Sequence, residues 1–381
     1  MNQATLQPVT SRPPVVIAAL TLLAVLGFAG VTRLVNRFVQ QQKALARHLY
    51  QQGLNEQQAG KFPLALEHFR EALTYDHDNS QYQLSLARAL RDSGRTDEAE
   101  THLISLWERT PQDGAVNLAL GRLAAREKLL DKTMQYYHSA IYGVWTSNPD
   151  ENRLNAWFEL IDFLIRQNAR PQAEAELITI SAELPPRPDL GLRVADLFAR
   201  VEDYDHALAE YRRVLDAERA NLRALAGAGD AAFHLGRYRT AVHYLEEASG
   251  IDSHNDQTNQ MLQVSKLVLS RDPFLRGISS VERERRLRQI FNDAGKRLDD
   301  CMNTRASISP APQLNALPAL KAEWTQMKPE LAGSRQQNSL GFPYALMDLV
   351  LRIEQQTAVC GSDAEDQALM LLAENRSEVE Q

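Results

Sequence analysis

The sequence has few cysteines and no excess of positive charge. Only Cys301 and Cys360 occur among 381 residues. This excludes a small disulfide-rich scaffold and any zinc site built from cysteine alone. Lysine and arginine number 42 against 49 aspartate and glutamate, which gives a formal net charge of −7. Because no basic excess indicates binding to a polyanion, we expect no nucleic-acid partner.

Motifs of catalysis and of metal binding are also missing. No Walker A, G-x-S-x-G or H-E-x-x-H sequence occurs, and the nine histidines show no zinc-ligand spacing. Residues 227–232 fit G-x-G-x-x-A, but a dinucleotide site needs a preceding strand, and the sequence predicts none there. We therefore expect no enzyme activity, no cofactor and no metal ion. An enzyme would need an unrecognised site in the C-terminal region.

Long apolar runs are confined to one place near the N-terminus. Residues 15–31 carry no charge. As a helix they would span roughly 26 Å, close to the ~30 Å hydrocarbon core of a bilayer. Apolar residues continue to Val39, so we expect a tail at residues 1–14 and a transmembrane anchor at residues 15–39. A cleaved signal peptide is the alternative. Two features argue against it, because only one basic residue precedes the run and residues 27–29 match the small-x-small pattern of a cleavage site poorly.

The residues that flank this run favour a body in the cytoplasm. One basic side chain, Arg12, precedes the run, and four follow it, namely Arg33, Arg37, Lys43 and Arg47. Basic residues tend to stay on the cytoplasmic face. A disulfide between Cys301 and Cys360 would favour the opposite, oxidising face, such as a periplasm. Sequence spacing fits two buried thiols equally well, so the periplasm stays as the alternative.

A 34-residue pattern recurs along residues 46–255. In the first unit, glycine, alanine and aromatic residues fall at fixed positions: Gly53, Gly60, Phe62, Ala65, Phe69 and Ala72. Six units keep parts of the pattern, with a six-residue excursion at residues 148–153, and they begin at Ala46, Ser80, Gly114, Leu154, Pro188 and Leu222. The pattern resembles the tetratricopeptide repeat (TPR). The whole chain resembles uncharacterised bacterial single-pass TPR proteins, which implies a bacterial cytoplasmic (inner) membrane.

This resemblance implies an all-α fold, a right-handed α-solenoid of antiparallel helix pairs. Small residues at positions eight and twenty of each unit would lie where the paired helices cross most closely. Beyond the repeats, residues 256–271 predict an amphipathic capping helix. Residues 272–381 predict a small helical region with a linker at residues 303–318, and a capping box at residues 279–282 opens its first helix.

The resemblance also implies a scaffold that binds proteins, because the first helices of successive units line a concave groove for a peptide or a partner helix. A structural component that self-associates in a membrane complex is the alternative, and the sequence leaves the oligomeric state open. The candidate groove residues are Tyr50, Leu54, Arg88, Arg91, Arg122, Arg126, Phe158, Asp162, Asp196, Asp230 and Phe233.

The ninth position of each unit carries a graded charge. From the first unit to the sixth it reads Leu54, Arg88, Arg122, Asp162, Asp196 and Asp230. A groove that is basic in its first half and acidic in its second would orient a partner segment of complementary charge. The alternative is that these charges pair with side chains of neighbouring hairpins and only solvate the surface.

Overall fold

The computed structural model describes residues 13–304, 316–332, 341–361 and 363–377. Within these ranges the chain is helical, with turns, one 3-10 turn and an isolated bridge between Asp113 and Val144. The expected all-α helical repeat is therefore confirmed. The predicted tail, apart from residues 13 and 14, and residues 305–315 of the predicted linker lie outside the described residues.

The chain divides into two compact units, residues 1–168 and residues 169–381. The first unit contains α1 (Pro13–Gln58), α2 (Phe62–Tyr75), α3 (Ser80–Asp92), α4 (Thr96–Arg109), α5 (Gly114–Arg126), α6 (Leu130–Ile141) and α7 (Pro149–Arg166). The second contains α8 (Arg170–Glu183), α9 (Pro188–Arg200), α10 (Tyr204–Ala217), α11 (Leu222–His234), α12 (Tyr238–Ile251), α13 (Asp256–Arg271), α14 (Ser280–Thr304), α15 (Leu317–Ala332), α16 (Phe342–Thr357), the 3-10 turn Ala358–Cys360 and α17 (Ala364–Ser377).

The N-terminal helix α1 joins the apolar run to the first repeat without a break. It contains 46 residues and continues through the predicted end of the anchor, Val39, to Gln58. Its apolar side chains between Ile17 and Val39 are exposed in the structure. This helix has the length and composition of a membrane anchor or of a signal sequence.

The turn between the two helices of each hairpin repeats the same backbone conformation. One residue per turn has a positive φ, and these residues are Gly60, Gly94, Lys128, Asn168, Glu202 and Gly236. In the third hairpin, the Leu129 N–H donates to the Ala124 carbonyl oxygen at 3.0 Å, which is the bond of a Schellman motif. Glycine adopts this conformation without steric cost, whereas Lys128, with a φ of 59°, does so under strain.

Small residues at position eight let the paired helices approach closely, as expected. A Cβ atom at Gly53 would lie 2.7 Å from the Phe69 ring, and one at Gly121 would lie 2.9 Å from the Tyr137 ring. Gly229 meets Leu245 in the same way, at 2.6 Å. The G-x-G-x-x-A segment therefore lies inside α11 as part of the helix packing, and the described residues before it form no strand.

Most of the six-residue excursion expected at residues 148–153 lies in α7, which begins at Pro149. The inserted length gives α7 additional residues and a longer loop before it. In that loop, the Trp145 indole N–H donates to the Ala140 carbonyl oxygen at 2.9 Å. The Trp145 ring lies so close to Gly114 that a Cβ atom there would be 2.4 Å away. Such contacts hold the loop against the third repeat.

The C-terminal helices share one hydrophobic core with α13. Val264 and Val268 of α13 belong to the same buried cluster as Phe291, Leu346 and Leu369 of α14, α16 and α17. At the start of α14, the Glu282 N–H donates to the Ser279 hydroxyl at 3.1 Å, which is one of the two hydrogen bonds of the predicted capping box. The Glu282 carboxylate accepts hydrogen bonds from Arg285 and Arg286. The predicted capping helix thus packs into the C-terminal region and does not form a separate end to the repeats.

Cys301 and Cys360 form a disulfide that links α14 to the 3-10 turn, with their Cα atoms 5.6 Å apart. Beside it, the buried Arg297 side chain contacts Asp366 and places its Nε 2.9 Å from Glu354 Oε2. The same guanidinium donates to the Gly361 carbonyl oxygen at 2.6 Å. Together, the disulfide and these contacts fasten the C-terminal helices to one another.

Candidate functional site

The first compact unit contains a cavity of about 820 Å³ between residues of its second, third and fourth repeats. Five basic side chains and two carboxylates line it. The lining residues are Arg91, Arg122, Ala125, Arg126, Lys128, Tyr137, Glu159, Asp162, Phe163, Arg166 and Gln167. We call this the basic cavity. Of the predicted groove residues it brings together Arg91, Arg122, Arg126 and Asp162.

The centre of the basic cavity is an ion pair between Arg122 of α5 and Glu159 of α7. Arg122 donates two hydrogen bonds to the carboxylate, at 2.6 and 2.8 Å. The Tyr137 hydroxyl donates to the same carboxylate at 3.2 Å. Burial acts to raise the pKa of Glu159, but these hydrogen bonds outweigh it and leave that pKa below its ordinary value. Arg122 is thus paired with a side chain of the neighbouring hairpin, as the alternative interpretation of the graded charge expects.

Two guanidinium groups of α3 lie near this ion pair and retain hydrogen-bonding capacity. Arg91 donates to Asp92 at 2.7 and 2.9 Å, and its side chain is 18% exposed. Among the described residues, Arg88 Nε and Arg91 Nη1 are buried without a hydrogen-bond partner. Burial, together with the charges of Arg122 and Arg91, lowers the pKa of Arg88. Buried donors without acceptors are costly, so the packing leaves part of the hydrogen-bonding capacity of these two arginines unused.

The rim of the basic cavity carries three exposed basic residues, Arg126, Lys128 and Arg166. Arg126 ends α5 and donates to the Arg91 carbonyl oxygen at 2.7 Å. Lys128 occupies the strained turn residue of the third hairpin. Arg166 is the last residue of α7. The turn geometry and the helix ends therefore place three positive charges on the lining of the basic cavity.

The structure gives the other predicted groove residues of the first unit different surroundings. Tyr50 donates to or accepts from the Ser85 hydroxyl at 3.1 Å and stacks on Tyr82, with ring centroids 4.5 Å apart. Leu54 is half-buried beside the same packing cluster. The prediction for Phe158 is wrong, because its side chain is only 1% exposed and belongs to the hydrophobic core. An aromatic residue at this helical spacing serves packing.

In the second compact unit, the predicted acidic residues have partners of their own. Asp196 accepts hydrogen bonds from the Tyr211 hydroxyl at 2.7 Å and from Arg223 at 2.6 Å. Burial raises the pKa of Asp230, and His234, 3.7 Å away, opposes this rise. Phe233 contacts the C-terminal core. For Asp196 too, the pairing alternative holds.

Sequence reasoning did not include Lys128, Glu159 or Arg166 among the site residues. A signal for Lys128 was present, because the corresponding residues in three other repeats are Gly60, Gly94 and Gly236. A lysine in place of glycine at a turn is unfavourable for the backbone and therefore informative. Glu159 gave no comparable signal, since its pairing with Arg122 depends on how the side chains of two repeats meet.

Comparison with known proteins confirms the family of the repeats. Residues 56–123 and residues 192–256 each match a tetratricopeptide repeat family. The chain is a TPR protein. TPR domains generally act as protein-binding scaffolds and are typically not enzymes, so the family implies protein partners.

Relatives of this TPR protein are distant. It is 24% identical over 223 residues to the putative cellulose synthase operon protein C of Escherichia coli O157:H7. That match covers 58% of this chain but only 19% of the relative. The solved structure of pilF from Pseudomonas aeruginosa is 17% identical, with a TM-score of 0.39, over 58% of this chain and 97% of pilF. The C-terminal part of a TPR repeat-containing protein from Cytophaga hutchinsonii is 11% identical, with a TM-score of 0.43, over 63% and 93% of the two chains.

Proposed function

We propose that this TPR protein is a membrane-tethered scaffold that captures partner proteins on the first helices of its repeats. The observation that carries the proposal is the basic cavity, which combines a volume of about 820 Å³ with five basic side chains. A concave, charged surface of this kind favours a partner of opposite charge and speeds its encounter.

The proposed contact surface in the first unit keeps most of the predicted residues. It includes Tyr50, Leu54, Arg88, Arg91, Arg122, Arg126 and Asp162, with Lys128 and Arg166 added. In the second unit, Asp196, Asp230 and Phe233 remain proposed contacts. We expect the basic cavity to contribute most of the affinity, because Asp196 already accepts hydrogen bonds from two neighbours.

The tether in this proposal is α1, with the membrane-spanning segment at residues 15–39. Because α1 continues without interruption, residue 46 of the first repeat would lie only about 10 Å along the helix from Val39. A partner held by the first repeats would thus sit close to the bilayer surface. Proteins of the same membrane are natural partners in this arrangement.

For the compartment, we propose the oxidising side of the membrane. The basic residues after the anchor favour the cytoplasm, but the disulfide between Cys301 and Cys360 supports the periplasmic alternative, since such bonds persist in oxidising compartments. A reporter fused after Gln381 tests this directly. Alkaline phosphatase activity of the fusion would support the proposal, and an inactive fusion with full accumulation would reject it.

The scaffold function is tested by capture of partners from detergent-solubilised membranes. The variant Arg126→Gln with Arg166→Gln removes two rim charges of the basic cavity. The matched control, Arg219→Gln with Arg239→Gln, removes two exposed charges of the second unit. We expect specific partners to be lost only with the cavity variant. Equal capture by both variants would contradict the proposal, and a concentration-dependent oligomer of this chain alone would instead support the self-associating component.

A further inference from the structure

We propose that the basic cavity is a receptor for an extended acidic segment whose carboxylates are spaced about three residues apart. This inference rests on the proposed scaffold function and specifies the chemistry of the partner. The binding site is the basic cavity of the first compact unit. The proposal rests on the placement of its positive charges, on the hydrogen bonds that these side chains already make, and on the position of Lys128.

The available positive charge lies at the rim and on α3. Glu159 already occupies Arg122 through two hydrogen bonds. Asp92 accepts from two nitrogens of Arg91, but Arg91 Nη1 is buried without an acceptor among the described residues. Arg126, Lys128 and Arg166 are exposed on the cavity lining. Arg126 donates to the Arg91 carbonyl oxygen at 2.7 Å. An incoming carboxylate would therefore meet the exposed cations of the lining, Arg126, Lys128 and Arg166, rather than the buried nitrogen of Arg91.

The spacing of these donors fits a row of carboxylates along a chain. Arg91 belongs to α3, Arg126 to α5 and Arg166 to α7, which are the first helices of three successive repeats. Packed helices lie ~8–10 Å apart. An extended chain advances ~3.3 Å per residue, so about three residues bridge one helix to the next. A single phosphate would place its charge at one point and could not reach all three helices.

Lys128 lines the cavity from a hairpin turn that other repeats form with glycine. The second repeat forms the equivalent turn with Gly94, which needs no strain at its φ of 85°. Lys128 adopts a φ of 59° in the same turn. Asn168 and Glu202 hold the same conformation in the turns of the fourth and fifth repeats, so the hairpin turn itself requires it. The lysine therefore adds a positive charge to the cavity at a position where glycine would be more stable.

The test measures peptide binding to the full chain in detergent micelles by fluorescence anisotropy. The probe is a labelled Glu-Gly-Ser-Glu-Gly-Ser-Glu peptide, which has glutamates three residues apart. A peptide of identical composition, Glu-Glu-Glu-Gly-Ser-Gly-Ser, concentrates the same charge at one end. We expect the spaced peptide to bind more tightly, and we expect added salt to weaken its binding. A lysine version of the spaced peptide should not bind.

The rim variant identifies the cavity as the site. Arg126→Gln with Arg166→Gln should weaken binding of the spaced peptide by about tenfold or more, because each arginine would donate a charge-assisted hydrogen bond. The control, Arg219→Gln with Arg239→Gln, should leave the affinity unchanged. Equal affinity for the two peptides, loss of binding in the control alone, or full competition by inorganic phosphate would each overturn the inference.

These results separate the inference from the scaffold proposal. If the peptides fail to bind but capture of membrane partners still requires Arg126 and Arg166, the scaffold function stands and the acidic-segment inference is wrong. If the spaced peptide binds at the cavity but the rim variant captures membrane partners as well as the control does, the receptor stands and the scaffold proposal is wrong.

Discussion

Buried arginine side chains differ in their hydrogen-bond partners between the two compact units. In the first unit, Arg91 Nη1 and Arg88 Nε lie buried near the basic cavity without an acceptor among the described residues. In the second, the guanidinium of Arg297 contacts two carboxylates, the Thr357 hydroxyl and the Gly361 carbonyl oxygen. We propose that the first arrangement receives a ligand, whereas the second holds the C-terminal helices together.

Exposure explains what each arrangement contributes. The Arg122 and Glu159 side chains are 35% and 36% exposed, whereas those of Arg297 and Glu354 are 13% and 2% exposed. Pairs that water can reach contribute only about 0–1 kcal/mol to stability. Removal of one member of a buried pair leaves an uncompensated charge and costs far more. The same residue types can therefore serve binding in one unit and stability in the other.

The largest effect should come from Arg297→Met. At about pH 9, above the raised pKa of Glu354, this change leaves the carboxylates of Glu354 and Asp366 without their cation, so we expect the free energy of unfolding of the second unit to fall by about 3–5 kcal/mol. Hydrogen exchange of the α16 amides measures this loss, and the α5 amides of the same sample provide an internal reference. The matched variant Arg122→Met should cost under about 1 kcal/mol. Similar losses for both variants would break the comparison.

Removal of the disulfide should have the next largest effect. Cys301 and Cys360 are 59 residues apart in sequence, so the bond restricts a long loop of the unfolded chain. We expect Cys360→Ser to destabilise the second unit by about 2–4 kcal/mol. Urea unfolding with and without a reductant checks the prediction. Reductant should destabilise the natural protein and leave the variant unaffected, and a reductant effect of equal size on both would show that another reaction is responsible.

The buried carboxyl of Glu354 should make the second unit sensitive to pH. Burial raises its pKa from 4.5 to about 8, and Arg297 only partly opposes the rise. The folded state thus binds this proton more tightly than the unfolded state does. Its contribution to stability is complete below the unfolded pKa and is lost as the pH rises through about 8.

Unfolding of α16 should therefore become easier between about pH 5.5 and about pH 8.5. Glu354→Gln removes the titrating group, and we expect it to reduce that dependence. Nearby Asp366, whose pKa burial also raises, acts in the same direction and stays in the variant. An identical pH dependence in the natural protein and in Glu354→Gln would exclude Glu354 as the cause.

The smallest effect is expected at the turn of the third repeat. Lys128→Gly relieves a positive φ, so the first unit should gain about 1 kcal/mol in spite of the added freedom of the unfolded chain. Binding of the spaced acidic peptide should weaken at the same time. The reverse change in the second repeat, Gly94→Lys, should destabilise, because its backbone has a φ of 85°. Lower stability of Lys128→Gly would show that the lysine is not under strain.

The sequence was sufficient for the repeats because their packing is local. Gly53 and Gly121 meet Phe69 and Tyr137, which lie on the second helix of the same 34-residue unit. Arg122 shows the limit, since its neutralisation by Glu159 depends on the meeting of side chains from separate repeats. Contacts of this kind do not recur at a fixed spacing in the sequence, so the repeat pattern does not predict them.

Other features could not be read from spacing for related reasons. Phe158 follows the helical pattern of a groove residue, yet tertiary packing buries it. The proximity of Cys301 and Cys360 depends on how the C-terminal helices fold onto α13, which no repeat describes. The basic cavity likewise arises only when three repeats are assembled.

Photocrosslinking in living cells tests the central claim most directly. A photoreactive amino acid replaces Gln167, an exposed residue of the cavity lining, and in a matched strain it replaces Arg239, an exposed residue of α12. The account predicts that the cavity position crosslinks to a defined protein through a segment with acidic residues about three residues apart, and that Arg126→Gln with Arg166→Gln abolishes this adduct. The same adduct from position 239, or one that survives the loss of both arginines, would contradict the account.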